Sequence, residues 1–156
     1  MKSIDSKKIK LIVYDFDGVM TDNRVYLRED GLESVVVNRS DGLAVEIIRN
    51  MGIQQIILSK EKNKVVVSRA NKLGIPVLNG VDNKKEILEI YCLERSIRLS
   101  DVIYIGNDIN DVGALRSVGY PMCPKDAYPE AIAAAQYILP AIGGSGVVRE
   151  LLDYLK

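Results

Sequence analysis

Two carboxylates one residue apart, Asp15 and Asp17, are the residues of this chain best suited to chemistry. They end an apolar run within residues 9–22, IKLIVYDFDGVMTD, whose composition is typical of a strand buried on both faces of a sheet. Two like charges at the end of a buried strand are unfavourable unless a cation neutralises them. Carboxylate oxygens on a rigid strand end suit Mg²⁺, and Gly18 lets the backbone turn sharply close to a ligand. The structural alternative is that the two carboxylates only cap the following turn.

The composition narrows the possible chemistry. The 156 residues are 47% apolar and 27% charged with a formal net charge of zero, which is typical of one soluble globular domain. The balanced charge gives no reason to expect nucleic acid or an anionic membrane as a partner. The chain contains no histidine, which excludes Ser-His-Asp catalysis and histidine-ligated zinc. Acid–base chemistry must therefore fall to carboxylates or lysine.

The apolar stretches and the cysteines indicate a compartment. No apolar stretch approaches the length of a membrane span, and the first ten residues are polar and basic without a signal-peptide core. We therefore expect a cytoplasmic protein. Its two cysteines, Cys92 and Cys123, are expected to be buried thiols.

Apolar runs alternate with segments of helical periodicity, which predicts a doubly wound, Rossmann-like α/β fold with a mostly parallel sheet. Residues 24–38 contain two β-rich runs around Glu-Asp-Gly and predict a β-hairpin flap after the first strand, within a single domain spanning 1–156. Helices are predicted from Asp41 and over 63–73, 84–93, 110–118, 129–135 and 147–155. Ligands in such folds bind outside the carboxyl ends of the strands. That rule brings together Asp15, Asp17, Ser59, Lys84, Asn107 and Asp108.

These residues resemble the motifs of the haloacid dehalogenase superfamily of phosphohydrolases, and the resemblance covers nearly the whole chain. The family's first motif, DxDGxxTD, stands here as residues 15–22. The resemblance implies that Asp15 is the nucleophile that takes the phosphoryl group as an aspartyl-phosphate. It also implies that Asp17 protonates the leaving alkoxide and then activates water.

Ser59 and Lys84 correspond to the second and third motifs of the family. The resemblance implies that the Ser59 hydroxyl binds the transferring phosphoryl group and that Lys84 neutralises nucleophile and phosphate. By itself, Ser59 between a strand and a helix would be a helix cap. Lys85 competes with Lys84 for the third role, and the family pattern G-x-x-N-K favours Lys84.

The fourth motif, YIGNDIND at residues 104–111, departs from the family pattern. Relatives usually carry aspartate directly after the glycine to bind Mg²⁺, whereas this chain has Asn107, whose amide oxygen can coordinate the ion but brings no charge. Asp108 would bind the ion directly or through water, and Asp111 would orient Lys84 or the site. The implied Mg²⁺ ligands are Asp15, Asp17, Asn107 and Asp108.

Within the superfamily the chain most resembles the capless branch, whose members hydrolyse phosphate esters of 2-keto-3-deoxy sugar acids. Members of this branch have a hairpin after the first motif and form homotetramers in which a neighbouring subunit closes each active site. The tail GGSGVVRE, residues 143–150, is also typical of the branch. Its glycines would let Gly144 of a neighbouring subunit approach a substrate closely. The structural alternative is a glycine turn before an ordinary helix.

The stretch SKEK, residues 59–62, bears on the substrate. Octulosonate phosphatases resemble S/T-G-R-K there, so Glu61, with Arg69 and Lys72 on the next helix, looks like the branch that acts on nine-carbon acids. The resemblance therefore implies a Mg²⁺-dependent phosphatase of KDN or N-acetylneuraminate 9-phosphate. The residues expected near the substrate are Gly18, Glu61, Arg69, Lys72 and Gly144.

Alternatives remain for the activity and for single residues. The activity could be that of a 3-deoxy-manno-octulosonate 8-phosphate phosphatase, or the chain could be a non-catalytic oligomerisation domain of a sialic-acid-activating synthetase. Arg69 and Lys72 could also form an exposed, salt-bridged helix face. Asp41 either contacts the site or caps the helix that it begins.

Overall fold

A computed structural model describes residues 3–156, in which six short strands form one parallel sheet. The strands are β1 (Leu11–Tyr14), β4 (Gln54–Leu58), β5 (Val77–Leu78), β6 (Val102–Ile105), β7 (Tyr120–Pro124) and β8 (Tyr137–Leu139). Their order across the sheet is β5-β4-β1-β6-β7-β8. The strands that follow β1 in the sheet, β4 and β5, therefore lie on one side of β1, and the later strands β6, β7 and β8 lie on its other side. This reversal creates a crevice at the carboxyl ends of β1, β4 and β6, where ligands bind in doubly wound folds.

Helices cover both faces of the sheet, as the predicted doubly wound fold requires. They are α1 (Arg39–Asn50), α2 (Lys64–Leu73), α3 (Lys84–Glu94), α4 (Val112–Ser117), α5 (Pro129–Ala134) and α6 (Val147–Leu151). Alternate residues of β1 face opposite sides: Ile12 and Tyr14 join one apolar core with α1, α2 and α6, while Leu11 and Val13 join a second with α3, α4 and α5. Two cores around one buried strand hold β1 rigidly. The predicted fold class is confirmed.

The predicted hairpin follows β1 as two short antiparallel strands, β2 (Tyr26–Leu27) and β3 (Glu33–Ser34). They are shorter than the predicted span 24–38, because the turn between them is long and its Gly31 has a φ of +80°. Residues 35–38 connect β3 directly to α1. Within residues 3–156 there is thus no cap domain between the first strand and the first helix.

The helix boundaries differ from prediction mainly at the ends. Asn38 caps α1 by accepting a hydrogen bond from the Ser40 amide, so the helix begins at Arg39, before the predicted Asp41. The predicted helix over 110–118 is a 3-10 turn (Ile109–Asp111) followed by α4, and the last helix ends at Leu151. No helix in the described part of the chain combines the length and the apolar character that crossing a membrane requires.

Candidate active site

Five of the six polar residues predicted to gather at the sheet edge, all but Lys84, line one small cavity of about 170 Å³. It opens at the carboxyl ends of β1, β4 and β6, as the topology requires. The cavity is lined by Asp15, Asp17, Asn23, Ser59, Lys60, Glu61, Asn107, Asp108 and Asn110. Residues from three separate motifs therefore meet because three parallel strands end side by side.

Lys84 lies directly beneath this cavity and forms an ion pair with Asp15. Its Nζ is 2.7 Å from Asp15 Oδ1, and the lysine side chain is only 1% exposed. The Phe16 amide also donates to Asp15 Oδ1, at 2.7 Å, which leaves Oδ2 free to face the cavity. Burial raises the pKa of Asp15 to about 8, and the charge of Asp111 adds to the rise while Lys84 opposes it. A cation at Oδ2 would favour the ionised form that a nucleophile needs.

Asp111 is the second carboxylate that forms an ion pair with Lys84, as the resemblance implied. Lys84 Nζ donates to Asp111 Oδ1 at 2.7 Å, and Tyr104 donates its hydroxyl to the same oxygen at 2.7 Å. The amides of Asn107 and Asp108 donate to Oδ2 at 2.9 and 3.1 Å. Burial acts to raise the pKa of Asp111, but Lys84 and these donors outweigh it and hold the carboxyl ionised. Asp111 thus fixes both Lys84 and the turn that carries Asn107.

The alternative lysine, Lys85, has no contact with this site. Its side chain is exposed and its Nζ is 3.7 Å from Glu89, one turn along α3. A surface pair of this kind contributes little to stability. The buried geometry therefore favours Lys84 for the third motif, as the family pattern G-x-x-N-K implied.

Thr21 holds Asp17 in place. Its hydroxyl donates to Asp17 Oδ1 at 3.2 Å and accepts from the amides of Gly18 and Asn23, so the fully buried threonine ties the turn together. Burial raises the pKa of Asp17, the Thr21 hydrogen bond opposes the rise, and Glu61 adds to it. A raised pKa suits a carboxyl that must donate a proton.

Asn107 approaches two oxygens that could share a metal ion with it. One polar atom of its side-chain amide lies 2.8 Å from the Asp17 carbonyl oxygen and 3.2 Å from Asp15 Oδ2. If this atom is the amide oxygen, three acceptors converge and need a cation; if it is the nitrogen, it donates to both. The separations match those between neighbouring ligands around octahedral Mg²⁺, about 2.9 Å. The donor set therefore fits Mg²⁺, and Asp17 would contribute its carbonyl.

This set of metal ligands carries less negative charge than three carboxylates would carry. Within residues 3–156 no group of three or more acidic, histidine or cysteine side chains is arranged to hold a metal ion. Asp108 lines the cavity, but its Oδ1 accepts from the Ile109 amide at 2.6 Å and caps the 3-10 turn. A water molecule between Asp108 and the ion, one of the two predicted modes, is compatible with that geometry.

Ser59 occupies the position that the second motif requires. It is buried, lines the cavity, and its Oγ accepts from the Glu61 amide at 3.1 Å. The cap of α2 is Asn63, whose Oδ1 accepts from the Val65 amide. The helix-cap alternative for Ser59 is therefore wrong, and its hydroxyl proton is available to a ligand.

The two glycines predicted near the substrate have structural reasons of their own. A Cβ on Gly18, whose φ is +79°, would lie 2.0 Å from the Asn107 side chain. A Cβ on Gly144, with φ +74°, would lie 2.5 Å from the Asp22 amide nitrogen. Gly144 therefore packs on the first-motif turn of its own chain. Its approach to a neighbour's substrate stays a prediction.

The structure separates the three residues predicted to set specificity. Glu61 lines the catalytic cavity, whereas Arg69 and Lys72 line a groove between α1 and α2 that shares no residue with it. Arg69 is only 9% exposed, so the alternative that it belongs to an exposed, salt-bridged helix face is wrong. Its Nη2 donates to the Asn38 carbonyl at 2.8 Å, while its Nε is buried without a partner among the described residues. Within one chain this groove does not reach the catalytic cavity.

Asp41 neither caps α1 nor lines the catalytic cavity. It is fully buried and its Oδ1 accepts from the Arg149 amide at 3.0 Å, joining α1 to α6. Both expectations for it are therefore wrong. The partner is remote in sequence, so no local pattern could have revealed it.

Sequence reasoning also missed Tyr104 and the pair Glu33–Asn63. Tyr104 is the last-but-one residue of a buried apolar strand, and only its hydroxyl signals a partner. Asn63 Nδ2 donates to Glu33 Oε2 at 2.5 Å and thereby joins the hairpin to α2. Glu33 has no distinguishing pattern in the sequence.

Comparison with known proteins agrees with this geometry. A family model of haloacid dehalogenase-like hydrolases matches residues 45–151. The 3-deoxy-D-manno-octulosonate 8-phosphate phosphatase KdsC of Escherichia coli K12 is 32% identical over 151 residues, which is 96% of this chain and 80% of that protein.

Two solved structures have the same fold. One, from Streptomyces avermitilis MA-4680 and described as a candidate HAD family hydrolase, is 40% identical with a TM-score of 0.95, covering 98% of this chain and 88% of that one. The other is a 3-deoxy-D-manno-octulosonate 8-phosphate phosphatase from Moraxella catarrhalis in complex with magnesium, phosphate and the sugar acid KDO. It is 31% identical with a TM-score of 0.90, covering 94% of this chain and 84% of that one. The chain belongs to the haloacid dehalogenase-like hydrolase family.

Proposed function

We propose that this chain is a Mg²⁺-dependent phosphomonoesterase whose substrate is 3-deoxy-D-manno-octulosonate 8-phosphate (KDO 8-phosphate). The observation that carries the chemistry is the buried Lys84–Asp15 pair, with Asp15 Oδ2 left free beside Asn107 and the Asp17 carbonyl. Phosphatase activity is the activity of the family relatives as well. A hydrolase with these residues needs no histidine.

The reaction follows from the positions of two carboxyl groups. Asp15 attacks the phosphorus, and the bond to the ester oxygen breaks as Asp17 gives that oxygen its proton. Asp17, now ionised, takes a proton from water, whose oxygen attacks the phosphorus and releases Asp15 and inorganic phosphate. Lys84 and Ser59 stabilise the charge on the phosphoryl oxygens during both steps.

Mg²⁺ is the cofactor of this family of phosphatases, which confirms the predicted cofactor. The residues that would hold it are Asp15 through Oδ2, Asp17 through its carbonyl, and Asn107, with Asp108 behind a water molecule. The bound ion would screen the negative charge of the nucleophile and the phosphate from each other.

The relatives support the octulosonate substrate better than the nonulosonate 9-phosphate that the SKEK stretch suggested. The curated relatives from Escherichia coli and Yersinia pestis act on KDO 8-phosphate, at 32% and 31% identity over nearly the whole chain. Of the three residues that suggested a nine-carbon acid, only Glu61 lines the catalytic cavity within one chain, because Arg69 and Lys72 lie in a different groove. The non-catalytic alternative conflicts with a site that keeps Asp15, Asp17, Lys84 and Asp111.

A homotetramer in which neighbours complete the sites is part of the proposal. The hairpin exposes apolar side chains that a partner would cover: Val25, Tyr26, Leu27, Leu32 and Val36. Arg69 and Lys72 could contact a substrate carboxylate only if a neighbouring subunit brings their groove to the catalytic cavity.

Steady-state kinetics on both substrate classes tests the choice of substrate. We expect kcat/KM for KDO 8-phosphate to exceed that for KDN and N-acetylneuraminate 9-phosphates by about tenfold or more, which is typical of discrimination by pocket shape. Higher efficiency on either nine-carbon ester would contradict the proposed substrate and favour the nonulosonate 9-phosphate that the SKEK stretch suggested. Hydrolysis of neither class would contradict both.

A further inference from the structure

A second cavity, of about 250 Å³, lies between the hairpin and α2 and adjoins the catalytic cavity. The two cavities share Asp17, Asn23 and Glu61. An ester whose phosphoryl group lies at Asp15 would place its alcohol portion here, since Asp17 lines both cavities and must reach the leaving oxygen. We call it the leaving-group cavity. Its apolar lining, suited to the C–H groups of a sugar, is Phe16, Val25, Val35, Val65 and Val66.

The polar lining of the leaving-group cavity is acidic. Besides Asp17 it contains Glu33 and Glu61, and none of its lining residues is lysine or arginine. Ionised carboxylates accept hydrogen bonds and donate none. The cavity therefore suits hydroxyl groups, which can donate, and repels a second negative charge on the ligand.

Glu33 is held in this cavity by Asn63. The Asn63 amide nitrogen donates to Glu33 Oε2 at 2.5 Å, while the Asn63 amide oxygen accepts from the Val65 amide at 3.0 Å. One side chain thus caps α2 and fixes a carboxylate of the hairpin. The charged groups left for a ligand are the acceptors on Glu33 and Glu61, while the neutral Asn23 amide can donate or accept.

We propose that Glu33, positioned by Asn63, determines specificity together with Glu61 by selecting esters whose alcohol portion bears hydroxyls and no negative charge near the phosphorylated carbon. The inference rests on the proposed phosphatase function. In KDO 8-phosphate the carboxylate and the phosphate are at opposite ends of the carbon chain, so the carboxylate would lie outside the leaving-group cavity. Small phosphorylated acids would be excluded.

Glycerol 3-phosphate and 3-phosphoglycerate form a matched pair of test substrates, because they differ only in a hydroxymethyl group against a carboxylate. We expect wild-type kcat/KM to favour glycerol 3-phosphate by about a hundredfold, and Glu33→Gln or Glu61→Gln each to reduce that ratio about tenfold. Glu94→Gln, at the exposed end of α3 and in the lining of neither cavity, is the control and should leave the ratio unchanged. Where turnover is slow, the ratio of the two inhibition constants against p-nitrophenyl phosphate measures the corresponding preference in binding.

Asn63→Ser tests the positioning role separately. Serine can still cap α2 but is too short to hold Glu33. We expect KM for glycerol 3-phosphate to rise severalfold with kcat and melting temperature nearly unchanged. A change in kcat alone would show that Asn63 does not act through ligand binding.

A wild-type ratio near one, or a ratio unmoved by Glu33→Gln in a folded protein, would overturn the inference. The outcome for KDO 8-phosphate is independent of this. If KDO 8-phosphate is not hydrolysed but the ratio shifts as expected, the specificity rule stands and only the proposed substrate fails.

Discussion

At the scale of single residues, the central feature is the unequal charge balance around Asp15. Lys84 is the one buried cation that contacts Asp15 or Asp111 among the described residues, and both carboxylates lie 2.7 Å from its Nζ. One positive charge thus offsets two negative charges before Asp17 is counted. Because Asn107 adds no further negative charge, the site without metal tolerates this imbalance better than it would with a third acid.

Asn107→Asp should therefore make the protein more dependent on Mg²⁺. We expect the Mg²⁺ dissociation constant to fall by about tenfold, since the new carboxylate adds a charged ligand beside Asp15. In EDTA the same variant should melt below wild type, because the two carboxylates then repel each other. Calorimetric titration with Mg²⁺ and thermal unfolding with and without EDTA measure the two effects.

Asn110→Asp is the matched control for that experiment. Asn110 lines the same cavity without an observed hydrogen bond to Asp15 or Asp17. It should change the Mg²⁺ affinity and the EDTA melting temperature less than Asn107→Asp does, because the new charge does not contact Asp15. Equal effects of both variants would mean that Asn107 has no special contact with the ion.

At the scale of elements, the glycine tail before α6 supports the first-motif turn after β1. Gly144 and Gly31 both have positive φ, but only Gly144 meets a neighbouring backbone, whereas a Cβ on Gly31 would meet nothing within 4 Å. We expect Gly31→Ala to lower the free energy of unfolding by about 1 kcal/mol through backbone strain alone. Gly144→Ala should cost about 2–3 kcal/mol more, because the turn must move. Chemical denaturation of both variants measures the difference, and equal losses would contradict the close packing of the tail.

The contact between α1 and α6 should make stability depend on pH through Asp41. Burial raises its pKa from 3.8 to about 6, against the opposing effects of the Arg149 amide and Arg69. Between these two values the folded state binds more protons than the unfolded state, so stability falls as pH rises through the window. Relative to Asp41→Asn, wild type should lose about 2–3 kcal/mol between pH 4 and 7. Urea unfolding of both proteins across this range provides the measurement, and parallel pH curves would contradict the burial effect.

The sequence predicted local features well and contacts between distant segments poorly. The first-motif carboxylates, Lys84 and the strand ends follow from local patterns and a topological rule, so their convergence could be predicted. The hydrogen bond from the Arg149 amide to Asp41 and the one between Asn63 and Glu33 join residues far apart in the chain. Such pairings depend on how the elements pack, which periodicity does not encode. The shorter hairpin strands reflect a turn whose length the Glu-Asp-Gly signal did not fix.

At the scale of the whole molecule, the exposed apolar hairpin is the surface through which the proposed tetramer would assemble. Leu27 on β2 is 69% exposed and Leu93 on α3 is 81% exposed, yet only Leu27 has several apolar neighbours in sequence that are also exposed. If the hairpins form the proposed tetramer interface, Leu27→Glu should shift the protein from a tetramer to smaller species. Leu93→Glu should leave the assembly intact. Light scattering after gel filtration distinguishes the outcomes, and a monomeric wild type would contradict the proposed assembly.

Mg²⁺-dependent release of inorganic phosphate from KDO 8-phosphate by wild type and by Asp15→Asn tests directly whether Asp15 is the nucleophile. We expect wild type to turn over the ester in Mg²⁺ and to stop in EDTA. Asp15→Asn should lower kcat by about a thousandfold or more while the protein stays folded, because the amide cannot accept the phosphoryl group. Asp153→Asn, at an exposed position after α6, should retain wild-type kcat. Wild-type turnover by Asp15→Asn, or phosphate release that EDTA does not affect, would contradict the proposed Mg²⁺-dependent mechanism through Asp15.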